Sequence, residues 1–525
     1  MSYGHRSRLS AIIAFLLLAT CFSLNAQPIT PAEIDNLVNK TLKTFNVPGI
    51  AVAIVKDNKV IFAKGYGVSS IMTNQPVDAN TLFGIASNSK AFTVTALGIL
   101  VDEKRLSWDT KVVDIIPEFR LYSPYVTEDF TIRDMLTHRS GLGLGAGDLM
   151  IWPGPADFTR KDVIHNLRFL KQTSGFRTKY DYDNLMYIVA GEVVQRVSGM
   201  SWEDFVETRI MKPLGMTSSA PSFDLLRDRS DVIDPHVPVN GKLEVVDRHE
   251  VAMSNSAGGI YSNINDLSKW VLMHLNSGHY GENLSQTLVS EKVHNEMWSP
   301  QTIIKVYGPG EYNTHFRSYG LGFALRDVEG YLEVSHTGSL SGMVTQITMI
   351  PELKLGIIVL TNQQCGEAFI SITNTILDSY FGIKGVDRVR QYHDSYLKDL
   401  AYAKEITDKI WKEVDAQSSN NSTKPDCSVY TAKYTDNWFG DVYIKTEGDK
   451  LRFVSKRSPK ICGDLIYYKG NTFIAKWDDR SLDADAFVVF STDEKDKASA
   501  IKMKVISPLT DFSFDFQDLD LRRND

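Results

Sequence analysis

Cysteine is scarce: there are four in 525 residues, and none stands in a Cys-x-x-Cys pair. That excludes a thiolate zinc knuckle, and we expect no metal and no cofactor. Cys21 falls in a stretch expected to be removed, leaving Cys365, Cys427 and Cys462. Three thiols allow at most one disulfide, and Cys427–Cys462 is the pair expected because both lie late in the chain. No Gly-Lys-Ser/Thr follows the glycine-rich segment at Gly143, Gly145 and Gly147, so a phosphate loop is excluded. No long basic run interrupts a net charge of -7, which argues against nucleic acid as a partner. Beyond the N-terminus no apolar run is long enough to span a bilayer, a task that takes about 20 residues.

The N-terminus itself reads as an export signal. His5, Arg6 and Arg8 precede the apolar run Ala11 to Ala19, and small or polar residues then lead to Ala26. Cleavage near Ala26 would place the protein in the periplasm or outside the cell. A membrane anchor, or a lipoprotein attached through Cys21, are the alternative readings. A chain of this length exceeds one core, and the pattern divides it. Residues 1–26 form the signal, 27–384 a mixed α/β domain, 385–425 a helical and polar linker, and 426–525 a small all-β domain. The polar run 417–425 marks the break.

Helices are predicted over Pro31 to Phe45, Thr131 to Gly141, Leu185 to Val194, Ser201 to Met211 and Ala368 to Phe381, and a charged one over Asp387 to Val414. Strands are predicted over Gly49 to Val55, Lys59 to Gly65, Leu321 to Arg326, Tyr331 to Thr337, Met343 to Pro351 and Leu355 to Thr361. The last is continuously apolar, as a central strand is. Six short alternating strands between Val442 and Val505 predict a barrel or a sandwich.

The chemistry centres on Ser87-Asn88-Ser89-Lys90, which opens the apolar run Ala91 to Leu97. A serine near a helix start with a lysine three residues on is a nucleophile–base arrangement, provided burial lowers the lysine pKa. The spacing recurs at Ser395/Lys398 and Ser499/Lys502, so context must select among them. Tyr182-Asp183-Asn184 supplies a phenol, expected as a phenolate base beside Lys90, and an amide. Tyr261-Ser262-Asn263 is its rival. His336-Thr337-Gly338 ends a strand-like run, and Gly338 is expected to let a substrate backbone approach.

Ser-x-x-Lys, Tyr-x-Asn and His-Thr-Gly, in this order, resemble the three motifs of the serine β-lactamase and penicillin-binding family. The Tyr-x-Asn form is that of its class C β-lactamase, D-alanyl-D-alanine carboxypeptidase and esterase branch. The resemblance runs from about residue 30 to 380 and is supported by Thr131 to Leu142, Asp181 to Gly199, Pro213 to Met216 and Ala257 to Leu267. Residues from about 428 to 523 resemble the small β domain often appended to such hydrolases.

The resemblance implies an antiparallel sheet flanked by helices and a set of roles. Ser87 would be acylated, Lys90 would be its base and Tyr182 a proton shuttle. Asn184 would bond Lys90 or the substrate amide. His336, Thr337 and Gly338 would form a substrate rail, with the oxyanion held by the backbone N–H groups of Ser87 and Ser339. Histidine stands at 336 where class C β-lactamases carry lysine. The expected activity is therefore cleavage of a peptide or ester acyl bond, in a small-molecule or peptide substrate. A β-lactamase, an acyltransferase and a non-catalytic cell-wall-fragment binder are the alternatives.

Overall fold

The computed structural model describes residues 28–418, 425–448 and 450–524. The expected signal at 1–26 and most of the polar break at 417–425 lie outside the described residues.

Helix α1 (Pro31–Phe45) starts on a capping box, with Thr30 accepting from the Glu33 N–H and Glu33 answering the Thr30 N–H. Strands β1 (Gly49–Lys56) and β2 (Lys59–Gly67) form a hairpin through Asp57 and Asn58, both left-handed. Helix α2 (Ser89–Asp102) buries residues on every side, α3 (Leu185–Ser198) carries a long apolar face, and α4 (Ile264–Leu275) follows. Then come β3 (Thr302–Ile304), β4 (Arg317–Tyr319), β5 (Ala324–Val328), β6 (Tyr331–Leu340), β7 (Met343–Ile350) and β8 (Leu355–Thr361). The sheet order is β2-β1-β8-β7-β6-β5-β4-β3, antiparallel throughout.

The central strands are covered on both faces, which is why they read as unbroken apolar runs. From β1, Ala51, Ala53 and Val55 face the core around α2, α3 and α4. Ile50, Val52 and Ile54 face the core built with α1 and α5 (Gly366–Phe381). Phe92 of α2 stacks on Trp270 of α4 at 3.8 Å between ring centroids.

Helix α6 (Arg388–Ser418) begins on α5, where Arg388 pairs with Asp378 at 2.7 Å, and ends against the second domain through Val414. That domain is a closed barrel of eight antiparallel strands: β9 (Ala432–Asp436), β10 (Gly440–Glu447), β11 (Lys450–Ser455), β12 (Cys462–Lys469), β13 (Thr472–Trp477), β14 (Ala486–Thr492), β15 (Ala498–Val505) and β16 (Leu521–Arg523). Tyr434, Phe453, Phe473 and Trp477 fill its interior.

Three expectations are corrected. The helix predicted to run to Gly141 ends at Leu136, because His138 turns left-handed at φ 53°. Closure comes from β9 and β16, short strands outside the predicted set. The Cys427–Cys462 disulfide is not formed: Cys462 is a thiol 3.2 Å from the Arg452 guanidinium. It opens β12, whereas Cys427 precedes β9, whose barrel neighbours are β10 and β16.

Gly338 of β6 sits opposite Thr345 of β7, and a Cβ there would lie 2.2 Å from the Ile85 carbonyl oxygen. What it admits is the protein's own turn before Ser87. Gly338→Ala is expected to destabilise the fold by about 1–3 kcal/mol, read as a lower urea midpoint. An unchanged midpoint would show slack in that turn.

Candidate active site

Ser87 lies in a 3-10 turn, Ala86–Asn88, that feeds α2. Ala86 is held left-handed at φ 49°, a conformation that costs energy for a residue with a Cβ. The turn is pinned from β7: the Thr345 hydroxyl donates to the Ile85 carbonyl at 3.0 Å and accepts from the Asn88 amide at 2.9 Å.

Lys90 is fully buried one turn on, with Nζ 3.0 Å from Ser87 Oγ. The amine also donates to Asn184 Oδ1 at 2.7 Å and to the Ala257 carbonyl at 2.9 Å. Burial pulls its pKa down to about 7, against the opposing pull of Asp148 and Asp183. A neutral amine has two protons and one lone pair. Two fixed acceptors take the protons, which leaves the lone pair facing the serine hydroxyl.

Asn184 begins α3. Its carbonyl accepts from Lys90 and its Nδ2 donates to Asp148 Oδ2 at 2.8 Å. Tyr182 packs its ring 4.8 Å from Lys90 Nζ and 4.3 Å from the His138 ring. Burial pushes its phenol well above the usual range, outweighing a hydrogen bond with Ser87 that favours ionisation. The phenolate expected from the nearby positive charge is thus not the resting form, because the same burial that neutralises Lys90 also penalises an anion.

On β6, Thr337 and Ser339 are exposed to the cleft while His336 and Gly338 turn inward, as strand alternation requires. Nδ1 of His336 lies 2.7 Å from the Thr337 carbonyl and therefore carries the proton. Nε2 then accepts from the Tyr319 hydroxyl at 2.8 Å. Burial, then Lys90, pull its pKa down to about 3, so it is a neutral ring. No positive charge stands at this position, where class C β-lactamases carry lysine.

The competing motifs fall away. Ser395 and Lys398 are exposed on α6. Ser499 and Lys502 lie on β15, where Ser499 donates to the Ser491 carbonyl and Lys502 to the Leu519 carbonyl. Tyr261 pairs Gly84 across a short strand, and Asn263 caps α4.

Ser87, Tyr182, Asn184, His336, Thr337 and Ser339 share one cavity of about 470 Å³. Sequence reasoning missed three contributors. Tyr319 orients His336, Asp148 bonds Asn184, and the barrel segment Asp511, Phe512 and Ser513 enters the cleft. Phe512 meets the Tyr182 ring edge-on at 5.9 Å. The glycine-rich loop that carries Asp148 was the available signal; nothing in the barrel sequence marked its loop. Among the described residues no cluster could hold a metal ion.

The model of the Beta-lactamase family matches residues 34–377. The chain belongs to that family. A second model, a domain of unknown function (DUF3471), matches residues 418–523, which include the barrel. Unguisins hydrolase ungD of Aspergillus violaceofuscus is 28% identical over 435 residues, covering 78% of this Beta-lactamase family chain and 75% of its own. Protein flp of Staphylococcus aureus is 26% identical over 342 residues, 63% of this chain and 62% of that protein. The octameric penicillin-binding protein homologue from Pyrococcus abyssi superposes with a TM-score of 0.60 at 21% identity, over 94% of this chain and 100% of that one, which shows a shared fold.

A lysine that folding moves from a pKa of 10.5 to about 7 costs stability. The cost is complete below pH 7 and fades as pH rises from about 7 towards 10.5, where the unfolded chain also releases its proton. The melting temperature of Lys90→Met relative to wild type is therefore expected to fall steadily as pH rises through that window. A constant difference would place the Lys90 pKa near its ordinary value.

Proposed function

We propose that this chain is an exported serine hydrolase that cleaves an amide or ester bond through an acyl-enzyme on Ser87, as a penicillin-binding-protein-like peptidase or esterase. The observation that carries the reading is the 3.0 Å contact between the Ser87 hydroxyl and a buried amine held near pH 7. The Lys90 lone pair takes the hydroxyl proton as Oγ attacks the acyl carbon. The backbone N–H groups of Ser87 and Ser339 receive the oxyanion. Tyr182, a neutral phenol, delivers a proton to the departing amine or alkoxide. Water then enters with the roles reversed. Thr337 and Ser339, on the exposed face of β6, line the substrate, while the His336 ring lies beside Tyr182, 6.4 Å between ring centroids, and is held by Tyr319. A hydrolase among the relatives agrees with this chemistry, and the leader-like pattern before Ala26 supports export.

The neutral His336 weighs against a β-lactamase, since a ring with both nitrogens engaged offers no charge to a β-lactam carboxylate.

Intact-protein mass after incubation with p-nitrophenyl acetate is expected to show an acetyl adduct on wild type and none on Ser87→Ala. The wild-type acylation rate is expected to rise with pH through about 7, as Lys90 loses its proton. An adduct that survives in Ser87→Ala, or a wild type that neither acylates nor turns over, would sink the reading. Run in parallel, a penicillin that is consumed without a lasting adduct would restore the β-lactamase.

A further inference from the structure

The amide of Asn184 has two possible orientations, related by a flip that exchanges its oxygen and nitrogen. Only one presents a carbonyl to Lys90. A lysine amine donates to that carbonyl readily, whereas an NH2 group in its place would face another donor. The partner at the far end of the amide selects between them, and here it is the Asp148 carboxyl, whose Oδ2 accepts from Nδ2 at 2.8 Å. Asp148 is fully buried, and its Oδ1 has no hydrogen-bond partner among the described residues.

What holds Asp148 belongs to the other domain. The Ser513 hydroxyl donates to the same Asp148 oxygen at 2.9 Å. Two residues on, the buried carboxyl of Asp515 accepts from the Gly147 N–H at 2.6 Å and the Leu149 N–H at 3.0 Å, bracketing Asp148. The loop between β15 and β16 thus grips both the side chain and the backbone of the turn that carries Asp148.

We propose that Asp148, locked by Ser513 and Asp515 of the barrel, is a positioning residue that holds the Asn184 amide in the orientation Lys90 needs, so that the barrel is part of the active site. This rests on the reading of Ser87 and Lys90 as nucleophile and base. The groups facing the Lys90 amine and its surroundings are Asp148 from the glycine-rich loop, Asp183 and Tyr182 before α3, Tyr187 on α3, His138 after its short helix, and His336 on β6. Releasing Asn184 removes an acceptor that favours the lysine ammonium, so the amine would lose its proton at lower pH.

The test is the rate of Ser87 acetylation by p-nitrophenyl acetate, followed across pH on the full chain by intact mass. Asp148→Ala is expected to lower the plateau rate about tenfold to a hundredfold and to move the acid-limb midpoint to lower pH. Asp148→Asn, which keeps an acceptor for Asn184, is expected to recover most of the rate. Ser513→Ala, a change on the barrel alone, is expected to move rate and midpoint in the same directions by less. A folded Asp148→Ala with wild-type rate and midpoint would overturn the inference, and so would a slower enzyme whose midpoint stays fixed. Should Asp148→Ala fail to fold, an unchanged Ser513→Ala would overturn it. A wild type that is not acetylated on Ser87 would overturn the function and this inference together. Wild-type acetylation with unaffected variants would remove this inference alone.

Discussion

Water is kept from one amine, and much of this molecule serves that end. Lys90 emerges from α2 into a space closed by the rings of Tyr182 and Tyr187 and by the Ala257 carbonyl. An exposed lysine is protonated at neutral pH and cannot act as a base. Inside this enclosure desolvation lowers its proton affinity to about 7. A buried helix, a sheet covered on both faces and a tightly pinned serine turn maintain the enclosure, and each makes the lysine's burial costlier and more exact.

The same low-polarity surroundings act on every neighbour. Tyr182 is pushed towards the neutral phenol, His336 towards the neutral ring, and Asp148 and Asp183 towards the protonated acid. A cluster of titratable groups is thereby left with little net charge, and its direction is set by hydrogen bonds. Which atom donates is decided by partners such as Tyr319 and Asp148, not by long-range attraction.

This explains what the sequence made legible. Ser87 and Lys90 stand three residues apart at the start of an apolar run, so their contact is local and readable. The apolar run of β8 announced a central strand. The strands that escaped, β3, β4, β9 and β16, are three to five residues long, too short for alternation to be distinctive. The charge state of Tyr182 was misjudged because a neighbouring charge shows in the sequence and the depth of burial does not. Asp148 and Ser513 could not be paired at all, since nothing local links a glycine-rich loop to a turn in another domain.

The hydrogen bond between Asp148 and Ser513 joins positions 365 residues apart. Contacts of such separation form after the local ones, because the intervening chain must first be ordered. Sheet and barrel each need their own core before their surfaces can meet. The cleft is thus complete only where the two domains meet. A chain whose two halves have folded but not yet met carries its serine and lysine beside an Asp148 that lacks its Ser513 partner.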